Sequence, residues 1–514
     1  TLALAPSNQD VIYALVASNV AGSSTEPQEH YRGGMHAVFR STSGGGPGTW
    51  TAQVRNSDPT KLSRLLLSSA RSAFGRECGF TSSSSNLFYG QGWYDNAIAV
   101  DPTDPERVWA GGIDLYRSED GGRSWGLASY WWAMDIFNAA APSYSHADQH
   151  SIVFHPGYDG VSNKTLFVTS DGGVSRTDDA LAATARGTTA ACDPRNSQLV
   201  WTALNNGYGV TQFYHGTPYP DGSRYLGGTQ DNGTIRGQDG AGADGWETLL
   251  GGDGAYAAIH PDNPDVVYAS YQGLSLQKTV DGGRTWSNSF VGINGGTLFI
   301  TPYLMDPNDP ERLWLGGTAI WRTDNGAGYW RAASRPLAPL GMVSSLAVAR
   351  GNSERVLVGT TSGYILRTDS GLSDDQTKEW PSVRPRLGWV SSVAVDPTNE
   401  NVMYATYSTF GGTHVWKSTN GGATWRGSDG TGNRKIPDIP VHSIVVDPNR
   451  PSRLFVGTDL GVFVSTDGGG TWAVENSGFA NVITEWLTVL EGPGGPTLFA
   501  FTHGRGAWRV PIRN

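Results

Sequence analysis

Lysine is nearly missing from this chain. Only six of its 37 basic residues are Lys, and no run of Lys and Arg occurs in its 514 residues. With a formal net charge of −10, the chain lacks the basic footprint that nucleic acid requires. No apolar stretch approaches the roughly 18 residues of a membrane-spanning helix. No segment sustains a 3.6-residue apolar period, so helices should be few. The chain opens at "TLALAPSNQDVIYAL", with no charged n-region or apolar h-region, so the expectation is that any secretion signal was removed or never existed. Only Cys78 and Cys192 are present, which excludes a Cys-based metal site. Both sit in long polar insertions, either as two free thiols or as a disulfide joining them.

Turn formers and aromatics are abundant instead: 69 Gly, 28 Pro and 19 Trp. Short strands of alternating Val, Ile, Leu and Tyr are separated by Gly, Pro, Asn and Asp, the pattern of antiparallel sheet. One unit recurs: apolar strand, Asp-Pro turn, second strand, Gly-rich loop, third strand, Asp/Gly turn, Trp. "HSIVVDPNRPSRLFVGTDLGVFVSTDGGGTW" shows it whole. The turn-ending residues are Trp50, Trp125, Trp201, Trp246, Trp286, Trp330, Trp380, Trp425 and Trp472. Most are 40 to 50 residues apart, but the gaps on either side of Trp125 are 75 and 76 residues and hold the two Cys insertions. A last unit, "EWLTVLEGPGGPTLFAFTHGRGAWRV", has three strands, to be completed by an N-terminal strand. The expectation is an all-β protein: a large β-propeller of about ten four-stranded blades. A single ring is preferred over two smaller ones. The whole of 1–514 is read as this one propeller. Residues 51–92 and 126–149 are read as long inserted loops, and 179–199 as an insertion within the third blade.

In S-x-D-G-G-x-T-W the Asp carboxylate can accept N–H bonds from a tight turn, Gly supplies positive φ, and Trp packs between blades. Asp120, Asp281 and Asp467, with Trp125, Trp286, Trp425 and Trp472, are therefore read as scaffold. The copies are too many for one active site.

This box resembles the Asp-box, or bacterial neuraminidase repeat, of sialidases, sortilin-type ten-bladed propellers and two-propeller xyloglucan-degrading glycosidases. "QGWYDNAIAVDPTDPERVWAGGIDLYRSEDGGRSW", "HADQHSIVFHP" and "YLGGTQDNGTIR" resemble secreted bacterial Asp-box proteins, often labelled sortilin-like or glycosyl hydrolase-like. The resemblance implies an extracellular or cell-surface location, in keeping with the low Lys content and polar loops. It implies the fold more than an activity, because enzymes and non-enzymes share the box. The Arg-Ile-Pro tripeptide of sialidases is absent; "RVP" at 509–511 lies at the wrong end. The catalytic Asp of a "TDIGG"-like first-blade loop has no counterpart in "YALVASNVAG".

A site is expected where innermost strands start and second-to-third-strand loops turn, at the mouth of a propeller channel. Aligning innermost strands on their Asp/His-Pro ends puts Asn96, His150, Ala255, Ser391 and His442 at one position. Tyr94, Asp148, Asp253 and Trp389 precede them by one alternation. Aligning the loops brings Asp171, Asp231 and Asp459 into equivalence. Asp148, Asp231 and Asp171 are thus candidate catalytic carboxylates for glycoside hydrolysis, which needs a pair with one raised pKa. His146, His150 and Asp253 are candidate ligand contacts. Trp93, Tyr94, Trp131 and Trp132 could stack on a sugar or line a peptide groove, or simply form loop core. The same acids and imidazoles could coordinate a divalent cation, or only hydrogen-bond loop backbones; no cofactor is predicted. Two functions stay open: a propeller that binds a carbohydrate or other ligand at the channel mouth, and a glycoside hydrolase cutting a polysaccharide on the same face. The partner is a polysaccharide or a peptide.

Overall fold

The computed structural model describes residues 1–19, 33–58, 62–75, 77–79, 90–132, 143–187, 192–475, 478, 481–492 and 495–513. They fall into two compact units, Thr1–Asn206 and Gly207–Asn514. Among the described residues, no helix is long and apolar enough to cross a membrane.

The protein is all-β and built of propeller blades. Among the described residues, nine sheets are four-stranded, a tenth has three strands and a small eleventh pairs Gly430–Thr431 with Arg434–Lys435, each sheet running through neighbouring strands in sequence order. Every pairing between consecutive strands within these sheets is antiparallel, as short hairpin connections dictate. The first unit holds three sheets, whose innermost strands are Leu2–Leu4, Ala97–Val100 and Gln149–Phe154. Besides that two-stranded pair, the second holds seven, with innermost strands Phe213–Pro218, Gly254–Ile259, Tyr303–Asp306, Val343–Ala349, Val390–Asp396, Val441–Val446 and Thr484–Gly492. Each of these seven strands packs on the next, and Thr484–Gly492 packs back on Phe213–Pro218. The seven therefore close among themselves into a ring.

The seam of that ring joins Phe213–Pro218 to Thr484–Gly492, two strands far apart in the chain. The N-terminal strand lies elsewhere than expected. Leu2–Leu4 pairs with Ile12–Ala17 in the first sheet and leaves the last sheet three-stranded. Two insertions start later than the sequence pattern suggests. Residues 51–92 open with the strand Thr51–Arg55 and 126–149 with Gly126–Ser129, the fourth strands of their sheets. The stretch 179–199 reaches back to the second sheet, where Leu127 and Ala185 exchange both backbone hydrogen bonds. Cys78 and Cys192 form a disulfide.

The turn motif does its work with hydrogen bonds. Asp120 Oδ1 accepts from the backbone N–H groups of Arg123 and Ser124 at 3.0 and 2.9 Å, and Oδ2 accepts from the Ser124 hydroxyl at 2.6 Å. Asp281 and Asp467 repeat the pattern with Thr285 and Thr471. Gly121 and Gly122 supply the positive φ values the turn requires. Several turn-ending Trp residues cross to the preceding sheet: Trp201 donates to Ala128 O, Trp330 to Ser289 O, Trp380 to Ala333 O and Trp472 to Ser428 O. Each of these stitches a blade to its neighbour while burying a large apolar ring.

Candidate functional site

In the first unit, the segment leading into Gln149–Phe154 is pinned from several sides. Trp201 N donates to Ser143 Oγ and Ser145 N to Ser129 Oγ, each at 2.8 Å. Asp148 N then donates to Ile113 O at 3.1 Å and Gln149 N to Gly112 O at 2.8 Å. This anchoring holds Asp148 at φ +63°, a left-handed backbone that Asp tolerates better than most side chains. Gly172 allows the loop after Leu166–Ser170 to come close, because a Cβ there would lie 2.3 Å from the His146 side chain.

Five of the expected residues come together here: Tyr94, His146, Asp148, His150 and Asp171. The Tyr94 hydroxyl donates to both oxygens of Asp171, at 3.1 and 3.2 Å. His150 Nε2 lies 2.5 Å from Asp171 Oδ1. The Tyr94 and His150 rings meet edge to face at 5.0 Å, and Trp93 sits beside Tyr94 at 5.6 Å. Trp93 is 76% exposed and Tyr94 46%. Trp93 also walls a cavity of about 670 Å³ with Ala17, Ser18, Asn19 and Gly33.

Behind this surface lie two carboxylates that the sequence reading passed over, Asp95 and Asp114, both fully buried. The Gln91 amide bridges Asp95 and Asp148, donating to Asp148 Oδ1 at 2.9 Å and Asp95 Oδ1 at 3.4 Å. Asp114 Oδ2 accepts from Ala70 N at 2.8 Å. Asp95 Oδ2 and Asp114 Oδ1 are buried with no hydrogen-bond partner. Burial, followed by the nearby charge of Asp148, pushes Asp95 up to about 8. Burial pushes Asp114 up to about 8 as well. Asp148 is raised to about 6, by burial first and then by the charge of Asp171. Asp114 had a legible signal, since "GGIDLYR" is the second-to-third-strand loop of its sheet. Asp95 had none, because it stands in the turn leading into Ala97–Val100, where no strand period says which way a side chain points.

Trp132 is not part of this surface. It is 1% exposed and packs edge to face on Tyr130 in the core, so it offers no ring to a ligand. Trp131 is partly buried against the same core, with the Arg71 guanidinium 5.7 Å from its ring. Phe137, a further aromatic of this insertion, lies outside the described residues.

Asp231 and Asp253 belong to the second unit. Asp231, at φ +59°, donates its N–H to Asp253 Oδ1 at 2.9 Å. In that unit His442 Nε2 lies 2.7 Å from Asp459 Oδ1, and Nδ1 lies 3.4 Å from Glu485. Burial works to lower the His442 pKa, but the Asp459 hydrogen bond and the Glu485 charge outweigh it and raise it. Among the described residues, no group of three or more His, Cys, Asp or Glu side chains is arranged to hold a metal ion.

No protein-family model matches the chain, and no curated protein sequence matches it. Among solved structures, it is similar to a GH74 enzyme from Niastella koreensis at 14% identity, covering 100% of this chain and 85% of that one, with a TM-score of 0.26. A GH74 xyloglucanase from Xanthomonas campestris is 16% identical over 100% of this chain and 86% of that one, with a TM-score of 0.24. YCF48 from Cyanidioschyzon merolae is 13% identical over 59% of this chain and 95% of that one, with a TM-score of 0.43. Likenesses this distant say nothing about activity, so function must be argued from the residues.

Proposed function

We propose that the mouth of the first unit binds carbohydrate. The observation that carries this reading is the exposed Trp93–Tyr94 pair set directly against the acceptor and donor groups of Asp171 and His150. A sugar presents an apolar ring face and a rim of hydroxyls, and this surface offers a partner for each. The cavity beside Trp93, about 670 Å³, falls in the size range of small-ligand sites. The Cys78–Cys192 disulfide supports a location outside the reducing cytosol.

One observation favours a second reading, in which the bound glycan is cut. Asp148 is half-buried and raised to about 6, with the Asp171 carboxylate contributing to that rise. A carboxylic acid that keeps its proton near neutrality can protonate a leaving glycosidic oxygen. A second carboxylate then serves as base or nucleophile according to their separation. Asp148 is the proton donor and Asp171 the second carboxylate in this reading.

The test uses a panel of plant, bacterial and algal polysaccharides. Binding is read by calorimetry, and hydrolysis by reducing-end release. Retention of a glycan by the wild-type protein, weakened in Trp93→Ala, supports the site. Release abolished in Asp148→Asn but binding kept adds the hydrolase. Glycan binding that is indifferent to Trp93→Ala, Tyr94→Ala and Asp171→Asn would overturn the assignment of this mouth.

A further inference from the structure

The His–Asp pair of the first mouth has a second copy in the closed ring of seven sheets. His150 is the extra residue of a β-bulge: Gln149 pairs with Ser170 and Ser151 with Thr169, and His150 stands between them outside the pairing. His442 is placed the same way, between Val441, paired with Thr458, and Ser443, paired with Gly457. Asp171 and Asp459 each come directly after the strand opposite, next to Ser170 and Thr458. A bulge re-aims one side chain at a strand end. In both sheets it carries an imidazole onto the loop carboxylate, His150 to 2.5 Å from Asp171 and His442 to 2.7 Å from Asp459. The corresponding bulge residues Tyr214, Ser344, Ser391 and Glu485 carry no imidazole.

We propose that the second unit holds a second carbohydrate-binding site, where the strands Val390–Asp396 and Val441–Val446 begin, with Trp389, Phe410, Asp459 and Glu485 as its contacts. The ligand class rests on the reading of the first mouth.

In each unit an aromatic leads into the strand beside the His–Asp pair, Tyr94 in the first and Trp389 in the second. The Ser391 hydroxyl donates to Val441 O, which sets the two strand starts of the second unit against each other. Trp389 is 40% exposed, and Leu387, Phe410 and Leu460, at the same end of their sheets, are exposed as well. Large apolar side chains gathered on one surface mark a binding face. The loops that present them are tied down. Arg386 donates to the carbonyls of Leu387 and Thr413 at 2.9 Å and of Thr409 and Phe410 at 3.1 Å, with its guanidinium 5.4 Å from the Tyr407 ring. Trp389 N donates to Thr409 Oγ1 at 2.9 Å and Gly411 N to Asp438 Oδ1 at 2.8 Å. Gly388, at φ +125°, lets the two loops meet, because a Cβ there would lie 2.8 Å from the Thr409 side chain.

The polar rim is made of acceptors. His442 Nδ1 lies 3.4 Å from Glu485 Oε2, so one imidazole serves two carboxylates, both partly exposed. Each carboxylate accepts about four hydrogen bonds, which leaves oxygens for a ligand. A molecule that lays an apolar face on Trp389 and Phe410 must therefore bring donors along its edge, and sugar hydroxyls supply them in number. One residue separates the two sites in what they can do. Two positions before the histidine, the first unit has Asp148 and the second has Pro440. The carboxyl that would protonate a glycosidic oxygen has no counterpart there, so this site holds a glycan without cutting it.

The experiment is fluorine NMR on the full chain labelled with fluorotryptophan and titrated with tetrasaccharides of glucan, xylan and mannan. Trp93→Phe and Trp389→Phe assign the two signals. Both signals are expected to move, and calorimetry should count two tetrasaccharides per chain. Trp389→Ala should weaken one class of site about fivefold and leave the Trp93 response as it was, with near-UV dichroism unchanged. Phe410→Ala, on an exposed loop, should weaken the same class. A Trp389 signal that stays still while the Trp93 signal moves would overturn this inference and leave the first mouth standing. Movement at Trp389 alone would support this site and overturn the first mouth. If neither signal moves, both fall. Movement of the Trp389 signal with a peptide of Lys and Trp, but with no glycan, would also overturn the proposal, since the face would then be a peptide groove. So would reducing-end release that persists in Asp148→Asn and is lost in Asp459→Asn, because the second site would then be cutting.

Discussion

Asp120 and Asp148 show how far surroundings decide what one residue type does. Asp120 sits in a turn where backbone N–H groups and hydroxyls converge on it. Burial acts against its charge, yet the hydrogen bonds from Ser124, Ser118 and Arg123 hold its pKa below the ordinary carboxylate value. Asp281 and Asp467 lie in the same kind of turn and are lowered as well, by Thr285 and Thr471 in the first place. Asp148 and its neighbours Asp95 and Asp114 lie where burial outruns the supply of donors, and all three are raised. The turn aspartates are settled charges that hold a fold. Those at the mouth are unsettled protons, which is what chemistry can use.

The comparison can be broken at several points. The largest effect should come from the scaffold. Trp125, 2% exposed, packs under the second sheet's turn, and Trp125→Ala should destabilise the first unit by about 3–5 kcal/mol. Urea unfolding followed by tryptophan fluorescence measures this; a loss under about 1 kcal/mol would mean the turn is not structural. Asp120→Asn should give a smaller drop and leave ligand binding alone.

Next comes Asp148→Asn, expected to lower turnover at least about 100-fold while leaving the urea midpoint unchanged or higher at pH 8, where the native side chain is charged and half-buried. If Asp148→Asn unfolded the protein as Trp125→Ala does, the distinction between the two sets would collapse.

The third effect is the pH dependence of stability. A carboxyl raised in the folded state binds more protons there than in the unfolded chain, whose carboxyls titrate near about 4. Its contribution is fully present below that value and is lost as pH rises through 6 for Asp148 and 8 for Asp95 and Asp114. The turn aspartates work in the opposite window, their contribution being lost only as pH falls below about 4. The urea midpoint of the first unit should therefore decline from pH 5 to pH 8, and the decline should flatten in Asp95→Asn. A flat or rising wild-type profile would contradict the raised values. The smallest effect is at the rim: Trp93→Ala should weaken glycan binding by about fivefold, about 1 kcal/mol for one aromatic face, with no change in stability.

The ten-unit repeat was legible in the sequence because local physics writes it. Alternation, Asp-Pro turns and the turn-ending Trp all act within a few residues of one another, and each of the nine Trp residues stands at or just ahead of a fourth strand. The division into three sheets and a closed seven was not, since the packing of Thr484–Gly492 on Phe213–Pro218 leaves no mark in either strand alone. The mouth was half legible. Register brought Tyr94, Asp148, His150 and Asp171 together because each stands at an equivalent place, at the lead-in or start of an innermost strand or in the loop after a second one. Asp95 escaped because it lies in a turn, where no alternation marks an inward side chain, and Trp132 misled because an insertion can build its own core. Asp231, equivalent in position to Asp171 and grouped with Asp148 only as a candidate carboxylate, belongs to the second unit and meets Asp253 there.

The brevity of the outer strands has a consequence for solubility. Every propeller blade exposes a free sheet edge, and an unpaired edge is a template on which another chain can add a strand. Here six of the fourth strands are only two residues long: Thr202–Ala203, Ser287–Asn288, Arg331–Ala332, Ser382–Val383, Arg426–Gly427 and Ala473–Val474. Gly126–Ser129 is longer, but Ala185 already occupies part of its edge. Ala507–Pro511, the outer strand of the last sheet, carries Arg509 and ends on a proline that cannot donate a ladder bond. A molecule with this many open margins resists aggregation by offering most newcomers no more than two residues to hold.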